Sequence, residues 1–355
     1  MQQRSLTAVA VIALVAAAVL TTWSAPATAA EKLQLLLPTR GTAAYPVYLA
    51  RHLGYFEEEG LDVEIVPGKG STYVVQQVAA GTVPIGIGVP GAILPAVARE
   101  QKLKFFYTYA VKNLFDLIVP EDSPVKTVAD LRGKTVGITD LGSGEVPLVR
   151  ALLAAVNLRP GENVTMIPIG EKAPTILASF RDNRIQAFGG AANDLVWLYQ
   201  GGFKARSLSG EYRELPSSGI FVTEKTFNER RDLLVKVGRS IARGTLFGMT
   251  SPDAAVAIMS KLFPDQFENM ESGRVFLHTY MDLTTPLRKD ANGEPIFGYP
   301  MLEGWERLQK IFLSGDKPIL SKPLNLAPVV TGDLVAEINR FDHQKVRQQA
   351  RAFKP

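Results

Sequence analysis

Histidine is scarce in this chain: His52, His278 and His343 are the only three. None stands at helical spacing from a second metal ligand, and no His-Glu-x-x-His pair occurs. Gly68-Lys69-Gly70-Ser71 carries part of a phosphate-loop pattern, but the Lys precedes the second Gly and Val63 occupies the place of the first. Gly142-Ser143-Gly144 lacks the spacer on each side of Ser that a nucleophile elbow requires. Glu57-Glu58-Glu59 reads as a solvated helix end. No base, nucleophile and orienting group assemble. The residues therefore point to non-covalent capture, with no catalytic residue, metal or cofactor expected.

The chemistry that remains lies in five turns where a strand hands over to a helix. They are Thr39 to Ala44, Gly68 to Thr72, Val89 to Ala92, Asp140 to Glu145 and Gly189 to Asp194. Gly, Ser, Thr and Ala dominate them. Small side chains let a ligand approach the backbone, and the N–H groups at a helix start favour an anionic or polar group. The same residues also make ordinary turns and caps, so the weight rests on five such turns recurring together. In an open α/β sheet, ligands sit beyond the carboxyl ends of the strands.

The elements that must position these turns alternate. Lys32–Leu37, Asp62–Val66, Val83–Val89 and Leu103–Tyr109 read as strands, with helices at Tyr45–Leu53, after a cap at Ser71 or Thr72, and at Ala92–Arg99. A second set follows: strands at Thr135–Ile138, Val164–Ile169 and Ile185–Phe188, helices at Val146–Val156, Ala173–Arg181 and Leu195–Gln200. Asp116–Pro120 and Gly219–Val222 read as single crossings between the sets. The expected fold is α/β: two lobes, each a mostly parallel sheet flanked by helices, joined by two hinge strands. The expected division is residues 31–118 with 222–355 as one lobe and 119–221 as the other. After Phe227 the chain reads as mainly helical, and no repeat of 20 to 50 residues suggests a solenoid.

Ahead of these elements lies an apolar stretch from Leu6 to Leu20, preceded by Arg4 and followed by Ala27-Thr28-Ala29. That is the length and order of a signal peptide, too short to span a bilayer comfortably. Residues 1–30 are expected to be a leader cleaved after Ala29 or Ala30, leaving the chain in the periplasm. The absence of Cys removes disulfides and a lipoprotein attachment point. The formal charge of +4 is dispersed, without the basic block that nucleic-acid binding calls for.

Two stretches, Pro46 to Val63 and Asp122 to Gly137, give the chain a family likeness. It resembles the extracytoplasmic solute-binding proteins of the nitrate/sulfonate/taurine type, with the thiamine-pyrimidine-synthase-like fold, from Leu33 to Phe353. The resemblance implies two lobes closing on one small molecule and delivery to the permease of an ABC importer. It implies a monomer with no nucleic-acid partner. It also admits a synthase-type enzyme on the same fold, a class that consumes an active-site His and bound iron, and a sensor subunit. The Cys-rich loop of the thiamine-precursor binders is absent.

By resemblance, ligand contacts fall at Ala43, Ala44 and Tyr45, at Ser71 and Thr72, and at Pro90, Gly91 and Ala92. In the second lobe they fall at Leu141, Gly142, Ser143, Glu145 and Asn193, with Ser217 and Ser218 near the return crossing. Glu145 sits oddly with a plain anion, because like charges repel. It reads either as a first-turn Glu facing solvent, favoured by the helix dipole, or as the partner of an amine or ring N–H. Trp197, Tyr299 and Trp305 are candidates for stacking on an aromatic ligand or for the core.

Overall fold

The computed structural model describes residues 30–314 and 318–354. The leader assigned to residues 1–30 lies almost wholly outside them. Two five-stranded sheets carry the molecule. The first contains β1 (Glu31–Leu37), β2 (Leu61–Pro67), β3 (Ile85–Gly88), β4 (Leu103–Thr108) and β10 (Gly219–Thr223), in the order β2-β1-β3-β10-β4. The second contains β5 (Phe115–Pro120), β6 (Thr135–Ile138), β7 (Thr165–Pro168), β8 (Ala187–Ala191) and β9 (Ala205–Ser207), in the order β7-β6-β8-β5-β9.

In each sheet the strand that arrives from the other half runs against its neighbours. β10 is antiparallel to β3 and β4, and β5 is antiparallel to β8 and β9. The remaining pairs, β1 with β2 and β3 and β6 with β7 and β8, are parallel. Strands such as Ile85-Gly86-Ile87-Gly88 are buried on both faces, as helices on each side of a sheet require.

The helices follow the apolar periodicity closely. Tyr45–His52 buries Tyr45, Val47, Leu49 and Ala50, and ends at Gly54 with φ 76°. Two details differ from expectation. Ser71 is the first helical residue, not a side-chain cap: Gly70 holds the N-cap position with φ 85°, and no hydroxyl caps the helix. The helix at the fifth turn starts at Ala192 rather than Leu195, because Asp194 accepts the Ala191 N–H and caps the first turn.

Behind the cleft, the helix Leu302–Phe312 packs on helices of both sheets. One continuous apolar cluster joins Val74, Ile93, Phe105 and Trp305 to Leu117, Val136 and Val149. The first sheet also packs on the long helix Arg231–Thr250, at whose Gly244 a Cβ would lie 2.2 Å from the Pro46 carbonyl oxygen. Only glycine permits so close a crossing.

Candidate functional site

The carboxyl ends of the parallel strands of both sheets meet at a cavity of about 920 Å³. It is lined by Ala43, Ala44, Ser71 and Ser218 from the first half and by Ser143, Glu145 and Asn193 from the second. At its edge the two halves touch. A Cβ on Gly70 would lie 2.5 Å from the Gly142 carbonyl oxygen, so glycine at 70 serves both the positive φ and the contact.

The remaining expected residues stand outside the lining. Tyr45 is fully buried beneath it, with its hydroxyl 2.8 Å from Thr284 Oγ1. Thr72 points from its helix as an exposed residue, and Leu141 is exposed on the surface. Pro90, Gly91 and Ala92 are buried in the inter-lobe packing: a Cβ on Gly91 would meet Pro147 at 2.8 Å and Phe312 at 3.3 Å. Gly142 contributes its backbone to the Gly70 contact, and Ser217 is buried with an unpartnered hydroxyl. Of the third turn, Val89 lines the cavity while Gly91 packs lobe against lobe.

Glu145 is 2 % exposed and lines the cavity, so it does not face solvent. Its Oε1 accepts the Thr139 N–H at 3.0 Å and the Thr139 hydroxyl. Thr139 Oγ1 also lies 2.7 Å from Ser143 Oγ. A hydroxyl has one proton. Thr139 therefore donates it to Glu145 or to Ser143, and not to both at once. Burial raises the Glu145 carboxyl above its usual range, with Asp140 adding to the effect against the Thr139 bonds.

Asp194 stands beside it, also 2 % exposed. Its Oδ2 accepts the Ala191 N–H at 2.8 Å and its Oδ1 accepts from Asn193 Nδ2 at 2.7 Å. Burial, then the charges of Glu145 and Glu171, push its carboxyl up to about 8. The Tyr280 hydroxyl donates to Asn193 Oδ1 at 3.0 Å, linking the helix Met270–Thr284 to the second sheet.

Aromatic rings form the other walls. Trp197 and Phe276 stack with centroids 6.4 Å apart, and Phe276 meets Tyr280 edge-on at 4.9 Å. Tyr109 and Phe115 also line the cavity, and Tyr109 donates its hydroxyl to the Ala43 carbonyl at 2.5 Å. Trp197 is thus a cleft residue. Tyr299 lies elsewhere, under Arg288 at 4.0 Å, and Trp305 is core, 4.6 Å from Phe105. None of the three histidines lines the cleft.

Sequence reasoning passed over Thr139, Asp194, Phe276, Tyr280, Tyr109 and Phe115. Phe276 and Tyr280 were detectable only as an i, i+4 aromatic pair on a helix far along the chain. Asp194 stood in the fifth turn, where Asn193 drew the attention.

The comparisons agree with this architecture. The chain is 23% identical over 297 residues to the riboflavin-binding protein RibY of Chloroflexus aurantiacus, covering 82% of each chain. It is 21% identical to the formylaminopyrimidine-binding protein of Halalkalibacterium halodurans, covering 79% of this chain and 84% of that one. The alkanesulfonate-binding protein SsuA from Xanthomonas axonopodis pv. citri superposes with a TM-score of 0.57 at 16% identity, covering 82% of this chain and 96% of that one. The fold is the two-lobed periplasmic-binding-protein fold. A family model matches residues 42–255, more than half of the chain, and the chain belongs to the NMT1/THI5-like family.

Proposed function

We propose that this protein is the solute-binding component of an ABC importer, acting as a monomer in the periplasm after its leader is removed. It captures one small organic molecule between its lobes and hands it to a membrane permease unchanged. The lobes are residues 31–118 with 222–355 and residues 119–221, moving about β5 and β10. The observation that carries the reading is the cavity, because its walls come from strand-to-helix turns of both sheets and its edge is a contact between them. A ligand that touches both lobes favours their closure by its differential affinity for the closed form. The volume suits an organic molecule rather than a bare inorganic ion such as nitrate. The names of RibY and of the formylaminopyrimidine-binding protein support binding rather than turnover, and no histidine lines the cleft to serve the synthase-type chemistry. Among the described residues no helix is long and apolar enough to cross a membrane.

The test is recovery of the ligand. Protein isolated from periplasm, denatured and analysed by mass spectrometry, is expected to release one small molecule that rebinds at one per chain and leaves unchanged after prolonged incubation. Steady conversion of that molecule to a product would make this chain an enzyme.

A further inference from the structure

The cleft holds two buried carboxylates, Glu145 and Asp194, and no cation to match them. Among the described residues neither forms an ion pair, and Glu145 Oε2 receives no side-chain donor. The cations that line the cavity stand at its mouth. Lys69 and Lys172 are exposed, Lys172 follows the exposed Glu171, and Arg40 is paired with Asp265. Taking a charged carboxylate out of water without a partner costs on the order of several kcal/mol, so without a cation the cleft favours the neutral acid. Ala191 and Asn193 donate to the two oxygens of Asp194 and Thr139 donates to one oxygen of Glu145, but none of these neutral donors supplies a countercharge. The second, independent feature is the ring of aromatic faces, Trp197, Phe276, Tyr280, Tyr109 and Phe115, around the same space. Carboxylates beside aromatic faces are the two chemistries that recognise an organic cation.

Resting on the binding reading above, we infer that the ligand is an aromatic amine or N-heteroaromatic cation whose N–H groups bind Glu145, Asp194 and Ser143 while its ring packs among Trp197, Phe276 and Tyr280. Binding is then coupled to proton release. The groups facing the pair are Asp140 and Glu171 from the second lobe, both of which raise its pKa values, and the buried phenol of Tyr280 from the first. With Asp194 raised to about 8, the empty cleft at pH 7 carries a proton there, and an entering cation displaces it. Affinity therefore rises with pH toward 8, by up to ~tenfold per unit.

A matched pair of probes tests this: tryptamine, cationic at pH 7, and indole-3-propionate, its anionic counterpart with the same ring. Calorimetry on the full protein is expected to give at least a tenfold preference for tryptamine. Repeating it in buffers of different ionisation heat should reveal release of about one proton. The preference should fall about tenfold or more in Glu145→Gln and Asp194→Asn, both of which keep the local hydrogen-bond acceptors. The wild-type buffer series stands even if a variant folds poorly. Equal binding, preference for the acid, no binding of tryptamine, or no proton release overturns the cation assignment. The binding reading survives each of those results if an anionic or neutral molecule is recovered unchanged from the protein, and it fails only if the recovered molecule is consumed.

Discussion

Gly70 and Gly142 lie in turns that follow strands of different sheets, yet their backbones approach so closely that a Cβ on Gly70 would lie 2.5 Å from the Gly142 carbonyl oxygen. The contact closes the edge of the cleft from both sides. Glycine at position 70 thus serves the contact between the halves as well as the turn.

Gly70→Ala should accordingly weaken ligand binding by tenfold or more. The φ of 85° adds strain of roughly 1–2 kcal/mol for a residue with a Cβ, so some loss of Tm is expected as well. Gly54→Ala, at φ 76° and ψ 16° with nothing within 4 Å of its Cβ, is the control for losing a positive-φ glycine away from the cleft. Thermal melts and calorimetry on both variants separate the two effects: affinity should fall only in Gly70→Ala.

Ser143→Leu should abolish binding by filling the cleft while leaving the fold intact, since Ser143 is half-buried in a turn. Ser143→Ala removes one neutral hydrogen bond and should cost about 0.5–1.5 kcal/mol of affinity. Normal affinity in the Leu variant would remove the fourth turn from the site.

Asp194 predicts a pH dependence of the empty protein. Its folded-state carboxyl is raised to about 8, above the ordinary unfolded value near ~3.9. The neutral form is the one the fold favours, so its contribution is full below about pH 4 and fades as pH rises through 8. Asp194→Asn should therefore raise Tm at pH 8 and leave it nearly unchanged at pH 4. An equal shift at both values would show that the charge is not the cause.

Glu294 behaves with the opposite sign. Its hydrogen bonds from Arg347 and His343 hold its carboxyl down at about 2 and tie the 290s loop to the C-terminal helix His343–Ala352. That stabilisation is present above the unfolded value near ~4.3 and is lost as pH falls toward 2. The side chains are partly exposed, so Glu294→Gln should cost only about 1 kcal/mol at pH 7, read by urea unfolding. At pH 2 it should cost almost nothing.

The strands and helices were legible because their apolar periods are clean. Thr135–Ile138 and Ala173–Arg181 fall where the pattern puts them. The site was legible in part, because Ser71 and Ser143 lie in turns whose composition is local information. The third turn misled: Gly91 looks like a ligand contact in sequence, but its smallness serves Pro147 and Phe312. Tyr280 and Phe276 were hidden for the opposite reason. They reach the cleft only through tertiary folding of the helix Met270–Thr284, which no local pattern announces.

The apolar cluster behind the cleft, running from Phe105 and Trp305 to Leu117 and Val149, resists separation of the lobes there. On the proposed capture by closure, motion opens the Gly70–Gly142 edge and keeps the rear contact, as a rotation about β5 and β10. Small-angle scattering of the protein with and without saturating ligand measures this most directly. A smaller radius of gyration in the bound protein, with one ligand per chain, is the predicted result. An unchanged radius with the ligand held in the cleft would contradict capture by closure.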